Sequence, residues 1–425
     1  MQLEAKLPNI FDQYFQPENR VTNALLQVLS IDINLLRGFV KEVMNIDLTL
    51  SRNAKISTLK EPYDEYDRKN LPIISKESFT IPDAFIYDEE NNLNIFMESK
   101  LYTPLYYEQL KNHCRSYSLK SFSNFLICIS TDREQPGVIN DILKEAKNCK
   151  VIWLPWKTVY HWVCEKLDDN ICKNNYLNNY LCSQLKGYLE MYENLSDFAG
   201  INFQKDIYNY PQAKSFLKSL IEKVSDDINE IYPQFTIRRP KIKDDKTYVW
   251  DVLSDGYPFN SKAHLTFEIH NEYFALDLTF PNRADWKIFR RKLKDRLSEF
   301  QEIFSHLVQE FKNYQVPPEI CLYVWQSHAY KPYKLTTDGK LVFKIDVCPF
   351  IKKENILDKN IKQIPFWFDA FVNLCQTASN VHLEMQISII YYYIKHSIVK
   401  KPEFANEVIN AAKALKPLYD YLTCD

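Results

Sequence analysis

The chain has 425 residues, 46% hydrophobic and 14% aromatic, with 53 Lys and Arg against 55 Asp and Glu for a formal charge of −2. At roughly 100–200 residues per domain this is a two-domain length, or three at most, and the aromatic content excludes a mainly disordered chain. No apolar run approaches the roughly 18–20 residues of a membrane span, and no basic stretch leads into an apolar one at the start, so the expectation is a cytoplasmic protein without membrane association.

Pro17 opens a helix in which Val21, Leu25, Val28 and Leu29 repeat at helical spacing. A second helical stretch covers about 33–45, and a strand near Lys55–Lys60 fits the polar stretch that follows. Two strands are clear, Ser78–Tyr87 and Leu93–Leu101, joined by the turn Asp88-Glu89-Glu90-Asn91-Asn92. Pro104 starts a helix reaching Leu119. The pattern then runs strand Phe125–Ser130, helix Gly137–Asn148, strand Val151–Leu154, helix Thr158–Lys166. This alternation predicts an α/β domain over residues 1–195, with a mixed central sheet flanked by helices.

Helices over about 173–194 and 207–230 bracket Leu195–Gly200, a candidate boundary. Beyond it the spacing predicts strands at Phe235–Arg239, Tyr248–Leu253, His264–His270 and Tyr273–Phe280, with Asn271-Glu272 as a hairpin turn. A long helix over Ala284–Tyr314, strands Ile320–Gln326 and Leu341–Val347, and helices Phe366–Ala378, Glu384–Val399 and Pro402–Leu422 complete an α+β domain over 201–425.

Several chemistries drop out. The six glycines form neither a GxGxxG nor a Walker loop, the ten cysteines stand singly with no CxxC pair, and the histidines form no HExxH. There is no GxSxG elbow, and Cys114 and His113, adjacent on a helix, point about 100° apart.

The informative stretch is IPDAFIYDEENNLNIFMESKL, residues 81–101. Side chains two apart share a strand face, so Phe96, Glu98 and Lys100 point one way, while Ile95, Met97, Ser99 and Leu101 point the other. One face thus carries a carboxylate beside an ammonium, next to a strand that begins at Asp83. Two carboxylates on adjacent strands suit Mg²⁺, a hard cation that prefers oxygen ligands, and a bound metal assists phosphodiester hydrolysis. Lys100 would orient or activate the attacking water, or stabilise charge on the phosphate. The plainer alternative is Asp83 in a turn and Glu98–Lys100 as a solvated pair.

Over roughly residues 15–166 the chain resembles the PD-(D/E)xK, or restriction-endonuclease-like, nuclease superfamily. Pro82-Asp83 and Glu98-x-Lys100 match its motif, and the core order of elements fits. The resemblance implies Asp83, Glu98 and Lys100 as catalytic residues. Asp83 and Glu98 would be metal ligands, and Glu18 on the first helix would be a third ligand, or else simply an acidic helix-start residue. It also implies Gln109 on the following helix as a catalytic-site residue, with His113 where several members carry tyrosine. The expected cofactor is Mg²⁺, with Mn²⁺ as a substitute. The expected partner is nucleic acid, DNA before RNA, in restriction or anti-phage defence, with a homodimer or a partner protein compatible. Other (D/E)xK triplets, at Asp67, Glu145 and Asp244, follow no Pro-Asp strand.

Tyr106, Tyr107 and Tyr117 read as packing residues before base-stacking platforms. The run Arg283–Arg296 places Lys287, Arg290, Arg291 and Lys294 on one side of a helix, a stripe that either follows a phosphate backbone or is a solvated face. Arg238-Arg239-Pro-Lys241-Ile-Lys243 is a second such strip. Two other functions compete with the nuclease: a nucleic-acid-binding or assembly module without catalysis, and an effector idle until a partner or ligand activates it.

Overall fold

The structure is a computed structural model. It describes residues 17–59, 81–169, 175–203, 207–235, 247–256, 258–311, 313–327, 340–346, 364–377 and 382–424. The chain divides into two compact units, Met1–Asp197 and Phe198–Asp425.

In the first unit, α1 (Pro17–Ile31) and α2 (Ile33–Gly38) are separated by Asp32, whose carboxylate accepts the Asn34 N–H at 2.8 Å and caps α2. A five-stranded sheet follows in the order β1-β2-β3-β4-β5, with β1 Lys55–Thr58, β2 Ala84–Asp88, β3 Leu93–Ser99, β4 Ser123–Ser130 and β5 Lys150–Pro155. The first three strands are antiparallel neighbours, and β3, β4 and β5 are parallel. Parallel neighbours need crossovers. Here they are α3 (Tyr107–Tyr117), between β3 and β4, and α4 (Gly137–Glu145), between β4 and β5. Two further helices, α5 (Trp156–Asp168) and α6 (Tyr176–Leu189), complete the unit. The sheet is therefore mixed and flanked by helices, as the alternation predicts.

Strand parity sorts the core. Leu93, Ile95 and Met97 face a cluster built with α1, α2, α5 and α6. Phe85, Tyr87, Phe96, Leu126 and Cys128 face the opposite cluster, with Leu110, Cys114 and Tyr117 of α3 and Ile139 and Ile142 of α4. Both faces are covered, which is why β3 is buried along its whole length. The β2–β3 turn is held by Asp88, which accepts from the Ser51 N–H and Oγ and from Asn91 Nδ2, while Asn92 takes a left-handed φ of 48°.

The second unit has a long helix α7 (Tyr210–Ile231) and a six-stranded sheet, ordered β10-β9-β11-β8-β7-β6 and antiparallel throughout. Its strands are β6 Val249–Ser254, β7 His264–Ile269, β8 Tyr273–Phe280, β9 Glu319–Ser327, β10 Lys340–Asp346 and β11 His382–Tyr392. Helices α8 (Trp286–Asp295), α9 (Leu297–Glu310), α10 (Ile364–Thr377) and α11 (Phe404–Thr423) complete it. Gly200, near the start of the unit, has φ +102°, and a Cβ there would lie 2.4 Å from the Lys400 backbone, so no other residue fits without a shift.

Two expectations fail. The helix over Glu384–Val399 is instead the strand β11, hydrogen-bonded to β8 and β9, followed by a 3-10 turn at Ser397–Lys400. The single helix over Ala284–Tyr314 is two, broken at Arg296, whose φ of −136° and ψ of 40° leave the helical region. The Tyr421 hydroxyl donates to the Arg296 carbonyl at 3.2 Å, and the buried Lys292 Nζ donates to the Tyr421 carbonyl at 2.8 Å. These ties to α11 compete with helix continuation. The expected strand at Phe235–Arg239 beyond Phe235 itself, which is buried but not in a strand, the basic strip from Arg238 to Lys243 and the start of the Ser78–Tyr87 strand fall outside the described residues.

Candidate active site

Asp83 immediately precedes β2. The β2–β3 register pairs Ala84 with Met97, and one step further sets Asp83 opposite Glu98. By parity with Phe85 and Phe96, both carboxylates lie on the face covered by α3. The pairing is fixed by a hydrogen bond, the Ser99 N–H donating to Asp83 Oδ2 at 2.7 Å. Lys100 follows the last strand residue, and its N–H donates to the Ile129 carbonyl at 2.8 Å, so β4 anchors the point where β3 ends. The site thus stands at the carboxyl end of parallel strands, where crossovers leave a crevice.

Glu98 is 1% exposed, a burial that a carboxylate tolerates only when its oxygens are paired. Lys100 Nζ lies 2.6 Å from Oε1, and Gln109 Nε2 donates to the same oxygen at 2.7 Å. His113 Nε2 stands 2.9 Å from Oε2. Gln109 and His113 are four residues apart, hence on one face of α3, and that face clamps both carboxylate oxygens. His113 is fully buried, and its Nδ1 has no hydrogen-bond partner. An Nε2–H tautomer serves both facts: it donates to Glu98 and leaves at Nδ1 a lone pair rather than a stranded proton.

Glu18, in the first turn of α1, accepts the Leu101 N–H and the Thr103 hydroxyl at Oε1, each at 3.2 Å. It therefore ties the start of α1 to the chain leaving the site. Its charge also reaches Asp83. Burial first, then Glu98, and least Glu18, push the Asp83 carboxyl up to about 7, against the downward pull of the Ser99 N–H and Lys100. Partial burial pulls the Lys100 ammonium down, but Glu98, Asp83 and Glu18 together outweigh it and hold the ammonium above its ordinary range. Lys100 is therefore a cation at neutral pH.

Among the described residues no three His, Cys, Asp or Glu side chains converge to hold a metal ion. The donor set does suit a metal with few protein ligands. A carboxylate offers about four acceptor positions. Glu98 uses three, and Asp83 uses one, with its ionised form disfavoured first by burial and then by repulsion from the Glu98 and Glu18 carboxylates. A cation would relieve that repulsion. Mg²⁺ fits, because it keeps several waters and takes only one or two carboxylates.

Sequence reasoning missed the tethers. Ser99 and Thr103 act through a main-chain N–H and a hydroxyl that no motif marks, whereas Gln109 and His113, both singled out in the sequence, supply the two arms of the clamp. Of the tyrosines, Tyr117 is buried among the α3-side core, Tyr107 hydrogen-bonds Glu145, and Tyr106 is half exposed.

The basic stripe lies in the second unit, on α8. Lys287, Arg291 and Lys294 are exposed. Arg290 is turned inward, its Nε donating to the Cys375 carbonyl at 2.8 Å and its guanidinium lying over the Trp286 ring.

No protein-family model and no curated protein matches the chain. Among the described residues no helix is long and apolar enough to cross a membrane.

Proposed function

We propose that the first unit is a metal-dependent phosphodiesterase of the PD-(D/E)xK type, with a restriction-endonuclease-like fold, that cuts nucleic acid, DNA before RNA. The observation that carries this reading is the convergence of Asp83, Glu98 and Lys100 at one end of two adjacent strands, with Glu98 clamped from α3 by Gln109 and His113. A solvated salt-bridge pair would not bury its carboxylate and surround it with three donors.

Asp83 and Glu98 would hold Mg²⁺, or Mn²⁺ in its place. The metal supplies polarisation of the scissile phosphate and a water of lowered pKa. Gln109 and His113 keep the Glu98 carboxylate in one orientation, across the β2–β3 pair from Asp83. Lys100, charged and short of solvent, stabilises negative charge building on the phosphate, a role that suits an ammonium held above its usual pKa better than proton abstraction does. Defence against foreign DNA is the biological setting the resemblance suggests.

A second reading has its own support. Lys100 sits on Glu98 at 2.6 Å, and three of that carboxylate's acceptor positions are filled. The same geometry suits an effector held idle until a partner or ligand draws Lys100 away. Incubating the full chain with end-labelled DNA and RNA in Mg²⁺, Mn²⁺ and EDTA tests both. Cleavage that EDTA abolishes supports the nuclease, while a folded protein that cuts nothing supports the idle effector.

A further inference from the structure

The segment joining Lys100 to Gln109 carries two large aromatic side chains in water. Tyr102 is 65% exposed and Tyr106 is 53% exposed. The segment itself is well anchored. The Leu101 N–H and the Thr103 hydroxyl bind Glu18, the Leu101 carbonyl accepts from Thr131 Oγ1 at 3.1 Å, Leu105 is buried, and the Tyr106 carbonyl accepts the Leu110 N–H at 3.1 Å. Its fixed residues alternate with the two that are left out. Tyr102 lies two residues beyond Lys100, between Leu101 and Thr103, which both bind Glu18, and this places it beside the site. Among the described residues neither ring stacks on another aromatic, and neither hydroxyl makes a hydrogen bond.

The charge of the unit narrows what such rings can bind. Residues 1–197 hold 22 basic against 27 acidic groups. Lys100 is committed to Glu98, and Lys111, on the same helix as Gln109, lies 3.2 Å from Glu145. Duplex binding rests on rows of Lys and Arg against phosphates, because the base faces are stacked and hidden. Unpaired bases offer their faces, and each base stacked on an aromatic ring gains affinity without any phosphate contact.

We propose that the candidate active site takes single-stranded nucleic acid, or an unpaired end or flap, with Tyr102 and Tyr106 as stacking platforms that lead the strand to Asp83, Glu98 and Lys100. This inference rests on the phosphodiesterase reading for its placement at the site, but the stacking itself can be measured without cleavage.

The test uses the full chain and short fluorescein-labelled oligonucleotides: single-stranded DNA, single-stranded RNA and blunt duplex DNA. Cleavage is followed in Mg²⁺ with wild type, Tyr102→Ala, Tyr106→Ala, the double variant and Tyr106→Trp. Binding is followed by fluorescence anisotropy in a Lys100→Ala background. The expected result is preference for a single strand, with KM and Kd rising roughly tenfold for each tyrosine replaced by alanine, little change in kcat, and affinity restored by tryptophan. Both rings are exposed, so the variants keep their folding transitions. Tyrosine-dependent single-strand binding without cleavage would count against a constitutive hydrolase, favour the idle effector and leave this inference standing. RNA bound in place of DNA, with the same tyrosine dependence, supports it with the other sugar. Duplex preferred, single-strand affinity unmoved by the alanines, or no binding of any oligonucleotide overturns it.

Discussion

At the scale of single residues, the site is an arrangement of charges that the fold holds against their preference. Asp83 has a folded-state pKa near 7, well above that of an unfolded aspartate. Between these two values the folded protein holds a proton that the unfolded chain has lost, so the Asp83 contribution to stability falls as pH rises through that window, and the full cost is present above it. Asp83→Asn keeps an acceptor for the Ser99 N–H and removes the charge. It is expected to raise the metal-free melting temperature at about pH 8 by roughly 2–6 °C and to leave it nearly unchanged at about pH 4. Mg²⁺ should stabilise wild type more at the higher pH, where Asp83 is ionised, and should not stabilise Asp83→Asn. Thermal melts across pH, with and without Mg²⁺, check both. His113 gives the complementary case. His113→Ala strands a buried Glu98 oxygen, a loss of about 1–3 kcal/mol, or roughly 3–10 °C in melting temperature, and His113→Gln, which keeps a donor, should lose less.

At the scale of elements, what the sequence disclosed depended on how local each signal was. The alternation along Leu93–Ser99 placed Glu98 and Lys100 on one face, because strand parity is a property of neighbouring residues. The contact of Glu18 with Leu101 and Thr103 spans more than eighty positions and leaves no periodic trace. The helical reading of Glu384–Val399 failed for a related reason. Leu383, Met385, Ile387, Ile389 and Tyr391 alternate toward the main core of the second unit, but Ile390 and Tyr392 meet a smaller cluster on the opposite face. Glu384, Gln386 and Ser388 keep a two-residue period against them, but from Ile389 to Tyr392 both faces are apolar, and there the period blurs into a run that a helix also fits. Ile387 is paired with Leu278 on one side and Leu322 on the other. Ile387→Ala should therefore cost about 2–5 kcal/mol, a cavity in a strand with two neighbours, visible by calorimetry. A loss of a few tenths would contradict a central strand.

At the scale of the whole molecule, charge is divided unevenly. The first unit is net acidic, while the residues from 198 onward carry 31 basic against 28 acidic groups. The exposed trio Lys287, Arg291 and Lys294 belongs to that second unit. If it contacts phosphates, replacing all three with alanine should lower the salt dependence of single-strand binding by about 2 ions, near 0.7 for each charge. Arg290→Ala should instead lower stability and leave the salt slope alone, because its guanidinium serves the Cys375 carbonyl. Binding isotherms at several salt concentrations separate the two. Composition gave the two-unit organisation a plausible length, but the purpose of the second unit was not written in any motif, because a sheet filled with ordinary apolar and aromatic residues carries no chemistry in its spacing.

The central claim is that Lys100 acts in metal-assisted phosphodiester hydrolysis, and the most direct measurement compares wild type with Lys100→Ala in single-turnover cleavage of labelled single-stranded DNA, in Mg²⁺ and in EDTA. The account predicts cleavage by wild type in Mg²⁺ alone, and a loss of at least about a hundredfold in Lys100→Ala at a temperature below its melting transition, which the unpaired Glu98 lowers. Cleavage by Lys100→Ala at the wild-type rate would contradict it and move the active site elsewhere in the chain.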